Sequence, residues 1–257
     1  DGYTSQYDAR TVLAAHGMHG TFFLVSGLVG ESGYMTWAQA TELAAAGHEI
    51  GGHTVDHLDL TTVTPAVAQQ QICNDRTALQ AHGFAATSFA YPYGNANPAV
   101  EAIAQNCGYS SARTTGWYGS DCPNPCTESV PPRDAFATTV TGFSDQTNAE
   151  LQTVVTNAEA TGGWAQIVIH GVCDTCAIDS ARLGAFLGWL SSRVAAGAVA
   201  VRTINEVMTG PSPPQTSITA GPSGLTNQST ASFSFTAGGT PGVTFGCLLD
   251  GPGGATG

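Results

Sequence analysis

Gly47-His48-Glu49-Ile50-Gly51-Gly52-His53-Thr54-Val55-Asp56-His57 is a short β-run that ends in two imidazoles four residues apart, with glycines that let the backbone turn tightly. His48 falls inside the run and reads as a packed core histidine. His53 and His57 fall just after it, where a strand hands over to a loop. Outward from this segment, helical and strand patterns alternate. On its N-terminal side, Ala9 to His16 is a helix closed by Gly17, Thr21 to Val25 is a strand, and Thr36 with Gln39 forms a capping-box start for a helix ending at Gly47. On its C-terminal side, Thr64-Pro65 opens a long helix to about His82, with Pro at its first position. Then come a strand over Thr87–Tyr91, a helix from Asn97-Pro98 to Gly108, and a strand over Tyr109–Arg113.

Beyond an irregular Cys- and Pro-containing loop, the pattern predicts a strand at Ala137–Val140, a helix over about Asn148–Ala160 and a strongly apolar strand at Trp164–Ile169. Asp179 caps a helix through Ala195, and Val199–Ile204 reads as the last strand. Alternation of this kind argues for parallel strands covered by helices, in an α/β fold. The residues with chemistry stand where strands end. Asp1 opens the chain, His53 and His57 follow the strand His48–Gly52, Tyr93 follows Thr87–Tyr91, and His170 closes Trp164–Ile169. In a barrel these positions converge on one rim. One carboxylate with two neutral imidazoles suits a borderline-soft divalent ion, most simply Zn²⁺.

Four pieces in this order, Asp1-Gly2, His53-Thr54-Val55-Asp56-His57, Phe89-Ala90-Tyr91-Pro92-Tyr93-Gly94 and Ile167-Val168-Ile169-His170, resemble the polysaccharide deacetylases of the NodB-homology type, carbohydrate esterase family 4, over about residues 1–208. The resemblance implies a distorted, incomplete (β/α) barrel and metal-assisted hydrolysis of acetyl groups. It makes Asp1, His53 and His57 the metal ligands and His170 the general acid. The Tyr93 backbone N–H becomes an oxyanion donor, and Tyr91, Pro92 and Val168 become parts of the acetyl and sugar pocket. Asp1 corresponds to the second Asp of the family's Thr-Phe-Asp-Asp-Gly motif, so the strand and the base Asp before it are expected upstream. The chain as given is accordingly expected to be inactive or badly impaired. Where the family's third motif carries Arg, this chain has Ala90, and Arg113 at a strand end is the expected replacement. Where the fourth motif has Asp-x-x-Asp-Trp, Arg113-Thr114-Thr115-Gly116-Trp117 stands in a similar place, which makes Trp117 a candidate sugar wall.

The 257-residue chain has no Lys, seven Arg and a net charge of −12, a field that argues against nucleic acid or an anionic membrane surface as partner. No transmembrane run is present. An acetylated polysaccharide is the implied partner, and protein partners are not indicated. Seven Cys in a weakly charged, Ala-, Gly- and Thr-rich chain point to a secreted or cell-surface, disulfide-bonded protein. Cys73 and Cys107 lie in helical patterns flanking one strand and suit a helix-to-helix bridge. Cys122, Cys126, Cys173 and Cys176 allow three connectivities and can also be read as zinc ligands or a redox couple, while Cys247 is left over. After Met208 the composition changes. Residues 209–217 form a Pro-rich linker. Residues 218–257 alternate with period two at Ser232–Phe235 and Val243–Leu249, like the opening strands of a bacterial immunoglobulin-like sandwich cut short.

The function expected is N-deacetylation of an amino-sugar polymer. O-deacetylation of xylan is its rival within the enzyme class, and a degenerate barrel serving a glycan-binding surface protein is the rival outside it.

Overall fold

The structure, a computed structural model, describes residues 1–115, 127–210, 215–220 and 234–238. The chain divides into two compact units, Asp1–Met208 and Thr209–Gly257. The first unit opens with α1 (Thr4–Tyr7) and α2 (Ala9–Ala15), then β1 (Thr21–Leu24), α3 (Trp37–Ala45) and β2 (Glu49–Gly52). It continues with α4 (Pro65–Ala81), β3 (Ser88–Ala90), α5 (Pro98–Asn106) and β4 (Ser111–Arg113). The remaining elements are β5 (Gly142–Phe143), α6 (Asn148–Thr161), β6 (Ile167–Val168), α7 (Ser180–Ala195) and α8 (Ile204–Thr209).

Strands β1 to β4 pair in sequence order as one parallel sheet, with Leu24 opposite Gly52, Gly52 opposite Phe89, and Ala90 opposite Arg113. Because the strands are parallel, all their C-terminal ends face one way, and the loops after them share one rim. Helix starts follow their local chemistry. Thr36 and Gln39 close a full capping box on α3, Thr64 caps α4 ahead of Pro65, and Asn97 accepts from the N–H groups of Ala99 and Val100 to start α5. The buried side chains of β1–β4 and α3–α5, among them Leu24, Leu43, Ile72, Leu79 and Phe89, form one core. A second gathers around Leu151, Leu183, Phe186 and Leu187 under α6 and α7.

The second half of the unit is less regular than its pattern predicts. Ala137–Val140 is not a strand but a single parallel bridge, Arg113 to Thr138. There the Gln166 side chain does part of a ladder's work, donating to Thr138 Oγ1 at 3.1 Å and to the Thr139 carbonyl at 2.8 Å. The strand expected over Trp164–Ile169 shortens to Ile167–Val168, paired with Gly142–Phe143. Val199–Ile204 is not a strand either. Thr203 caps α8, accepting from Glu206 N–H at 3.3 Å while Glu206 accepts from Thr203 N–H at 2.7 Å. This Thr-x-x-Glu capping box overrides the β-branched run before it, whose Val199 and Val201 pack on the second core. In the second unit, β7 (Gln215–Ala220) and β8 (Ser234–Gly238) pair antiparallel, with an irregularity between Ile218 and Ala220. Residues 211–214 of the linker expected at 209–217, and the strand expected at 243–249 with Cys247, lie outside the described residues.

Cys73 on α4 and Cys107 at the end of α5 form a disulfide, and Cys173 pairs with Cys176. Cys122 and Cys126 lie outside the described residues. Beneath the C-terminal end of β2, Asp75 on α4 accepts from Tyr109 Oη at 2.8 Å, and both press on Gly52, where any Cβ would collide with them. Asp75 Oδ1 has no fully aligned donor, although the Ser26 hydroxyl and the Ser26 and Thr54 N–H groups are turned toward it. Burial raises this carboxyl to about 6, against the hydrogen bonds that lower it.

Two measurements follow. The Cys73–Cys107 bridge closes a loop of 34 residues, so Cys73→Ser with Cys107→Ser is expected to lower the urea-unfolding free energy by roughly 2–4 kcal/mol, and removal of the three-residue Cys173–Cys176 loop by less than half as much. Asp75 binds a proton in the folded protein between its ordinary 3.8 and about 6, where the unfolded chain has released it. Its burial therefore costs stability above pH 6, by about 3 kcal/mol, and the cost fades on acidification toward pH 4. Wild type should gain on Asp75→Asn by that order between pH 7 and pH 4 in paired urea titrations, and a pH-independent difference would contradict the burial of a charge.

Candidate active site

Asp1, His53 and His57 come together at the rim. Asp1 is fastened to the edge of β1, its N–H donating to the Phe23 carbonyl at 2.9 Å and its own carbonyl accepting from Val25 N–H at 3.4 Å. His53 follows β2 directly and is 5% exposed. Its Nδ1 lies 2.6 Å from the Ala90 carbonyl, so an N–H donated there leaves the Nε2 lone pair facing the cluster. The turn that brings His57 back puts Thr54 at φ 72 and His57 at φ 58. Thr54 Oγ1 accepts from His57 N–H at 2.9 Å. Gln71 on α4 clamps Asp56 from both sides, accepting from its N–H at 2.9 Å and donating to Oδ2 at 2.7 Å.

Asp1 Oδ1 lies 3.4 Å from His53 Nε2 and 3.1 Å from His57 Nε2, and the two Nε2 atoms are 3.1 Å apart. Three donors about 2.0–2.2 Å from one ion, at angles between 90° and 109°, stand about 2.9–3.5 Å from each other. The triangle therefore fits a single small divalent cation, and its one carboxylate and two imidazoles suit zinc. Desolvation lowers His57, and lowers His53 well below its ordinary value, keeping both rings in the neutral form a metal requires.

Arg113 ends β4 with 9% exposure and its guanidinium 4.9 Å from the Phe23 ring centre. Burial lowers it to about 10, so it stays charged, and no carboxylate of the described residues pairs with it. Its charge reaches His53 and His170. His170 stands two residues past β6 with part of its ring open to solvent. Crowding by its neighbours lowers its pKa first, then the charges of Arg113 and His57, while Asp145 acts in the opposite sense. Asp145 was not among the residues singled out from sequence. It follows β5, and the strand expected at Ala137–Val140 drew attention to the wrong strand end.

Tyr93 has φ 59 in a short 3₁₀ turn, is 63% exposed, and sets its ring edge-on to His57 at 4.8 Å. Tyr91 is fully buried with its hydroxyl donating to the Phe136 carbonyl at 3.0 Å, and Pro92 is buried beside it. Val168 is half-buried in β6, two residues before His170. Trp117 lies outside the described residues.

Residues 1–112 match the family model for polysaccharide deacetylase. YxkH of Bacillus subtilis (strain 168), assigned by name to the polysaccharide deacetylases, is 33% identical over 117 residues, which is 45% of this chain and 42% of that protein. A gellan lyase of Bacillus sp is 26% identical over 190 residues, 67% of this chain but 7% of the lyase. The chain thus spans less than half of either relative. The solved structure of the peptidoglycan deacetylase PdaC from Bacillus subtilis shares the fold with a TM-score of 0.51 at 14% identity, over 80% of this chain and 83% of that one. Residues 1–112 thus carry the similarity to the polysaccharide deacetylases, and the α/β barrel fold is shared with PdaC.

Proposed function

We propose that the chain is a secreted, metal-dependent deacetylase that removes N-acetyl groups from an amino-sugar polymer. The observation that carries this reading is the triangle of Asp1, His53 and His57, with edges of 3.1–3.4 Å, set on the same rim as His170 and Arg113. A divalent cation held by the three would acidify a water and polarise the acetyl carbonyl. The protein's own groups do the rest. The Tyr93 N–H, presented by a left-handed backbone that a non-glycine residue adopts only when its surroundings impose it, donates to the carbonyl oxygen as charge builds there. His170 protonates the departing amine, and Asp145 beside it favours the protonated ring that this step needs.

Arg113 is read as the replacement for the arginine that Ala90 lacks. A buried guanidinium without a described carboxylate is costly unless an anion meets it, and the rim is where a base carboxylate or the oxyanion would stand. The two disulfides favour an oxidising compartment, and hence secretion. The antiparallel pair β7–β8 favours reading residues 218–257 as the start of an immunoglobulin-like sandwich.

Acetate release by the zinc-loaded protein, carrying the strand and base Asp expected upstream of Asp1, from N-acetylglucosamine oligomers and from acetylated xylan tests this reading. Release from the amino-sugar oligomers is expected, falling more than about 100-fold in His53→Ala together with loss of bound zinc. Faster release from xylan would make the protein an O-acetyl esterase, and no release despite stoichiometric zinc would point to a glycan-binding barrel. Arg113→Ala is expected to depress release while zinc stays bound, and unchanged activity would remove Arg113 from the site.

A further inference from the structure

Large apolar side chains that face solvent are unevenly spread over the described surface. Five are open by more than a third: Tyr3, Leu58, Tyr93, Val130 and Val194. Three of the five belong to the rim of the metal triangle. Tyr3 stands two residues beyond Asp1, Leu58 directly follows His57, and Tyr93 sets its ring against His57 at 4.8 Å. Apolar surface left facing water beside a polar centre is what a ligand-binding surface looks like before the ligand arrives.

Tyr3 has a companion. Its ring lies 5.0 Å from that of Tyr34, tilted by 33°, and the two backbones form an antiparallel bridge. Thr4 N–H donates to the Gly33 carbonyl at 2.9 Å and Met35 N–H to the Gly2 carbonyl at 2.8 Å, while Met35 itself is fully buried. The pair is thus stapled on both sides to the segment that carries Asp1. Asp1 Oδ1 lies 3.1 Å from His57 Nε2 and Tyr93 sets its ring on His57, so the Tyr3–Tyr34 pair and Tyr93 border the same two residues.

From this arrangement we infer that Tyr3, Tyr34 and Tyr93, with Leu58 at the edge, form a subsite that stacks a pyranose ring next to the sugar whose acetyl group enters the metal site. The inference rests on the deacetylase reading and adds the surface that holds the polymer. A pyranose presents an apolar C–H face and a hydroxyl edge, and tyrosine offers an aromatic body and a hydroxyl tip to match both. With no Lys and a net charge of −12, the chain favours an uncharged or amino-sugar unit over a uronate or a phosphorylated sugar.

Calorimetry on the metal-free protein with the N-acetylglucosamine hexamer and dimer tests the subsite, with acetate release by the zinc-loaded protein followed in parallel. The hexamer should bind more tightly than the dimer. Tyr34→Ala should weaken hexamer binding about tenfold, equivalent to about 1.4 kcal/mol, and Tyr34→Phe, which keeps the ring, should restore most of it. Zinc stoichiometry should stay constant across the series. Leu58→Ser, an exposed change away from the Tyr3–Tyr34 contact, should weaken the hexamer several-fold and repeats the test if Tyr34→Ala fails to fold. Hexamer binding that is absent, equal to dimer binding, or untouched by these changes overturns the subsite. Acetate release with an unmoved KM in Tyr34→Ala would remove the subsite and leave the deacetylase standing. Tyr34-dependent hexamer binding without acetate release would keep the subsite and remove the deacetylase.

Discussion

The turn between His53 and His57 is the constraint on which the site depends. An extended run would set the two rings about 13 Å apart, and only a reversal of the chain can point both Nε2 atoms at one spot. The reversal uses positive φ at Thr54 and His57, conformations that cost a non-glycine residue roughly 1–3 kcal/mol each. Neighbouring loops and α4 offset that cost. The Thr54 carbonyl accepts from Ser26 N–H at 3.1 Å, the Val55 carbonyl accepts from Gly27 N–H at 3.0 Å, and Gln71 holds Asp56. Two glycines make the approach possible. A Cβ on Gly27 would meet the Val55 carbonyl, and one on Gly52 would strike Asp75 and Tyr109. The glycines near the imidazoles therefore mark places where another piece of backbone or a buried polar pair comes too close for a side chain.

The same crowding sets the charge of the site. Burial keeps His53 and His57 neutral beside Asp1, the one carboxylate of the triangle, while Arg113, lowered only to about 10, stays a cation despite its burial. Two nitrogen lone pairs and a carboxylate oxygen within 3.4 Å of each other would repel in the absence of a positive charge among them. On the proposed reading a divalent ion supplies it. The site then carries an excess of positive charge over what Asp1 neutralises, confined to the place where an oxyanion would form.

The first half of the barrel and the clustering of Asp1, His53 and His57 were legible in the sequence because each local signal there agrees with the tertiary one. Thr36 and Gln39, Thr64-Pro65 and Asn97-Pro98 start their helices as read, and the strands between them appear within one or two residues of expectation. His53 and His57 were found by spacing at a strand end, and Asp1 by its motif. Side-chain direction was not legible. Tyr91 sits in the motif beside Tyr93, yet one is fully buried and the other is the most exposed large aromatic described. The difference lies in the left-handed turn at Tyr93, which composition does not announce. The Thr203–Glu206 capping box decides the last element of the unit, and the Val-rich run before it packs as coil against the second core.

Where the pattern failed, the sheet itself gives way. Between β4 and β6 the ladder is reduced to one bridge, and the Gln166 side chain replaces it, satisfying Thr138 and Thr139 while its backbone carbonyl takes the N–H groups of Thr141 and Gly142 at 3.0 Å. A side-chain amide reaches farther than a backbone pair and so permits the strands to splay without leaving those backbone groups unbonded. Strands β5 and β6 end level, Phe143 opposite Val168, and Asp145 and His170 each stand two residues beyond those ends, where the charges of Asp145, Arg113 and His57 act on the His170 ring. A regular alternation of apolar residues predicts a regular strand and cannot encode such a break. The buried polar residue within the apolar run Trp164–Ile169, 6% exposed at Gln166, is the one sign of it that the sequence carries.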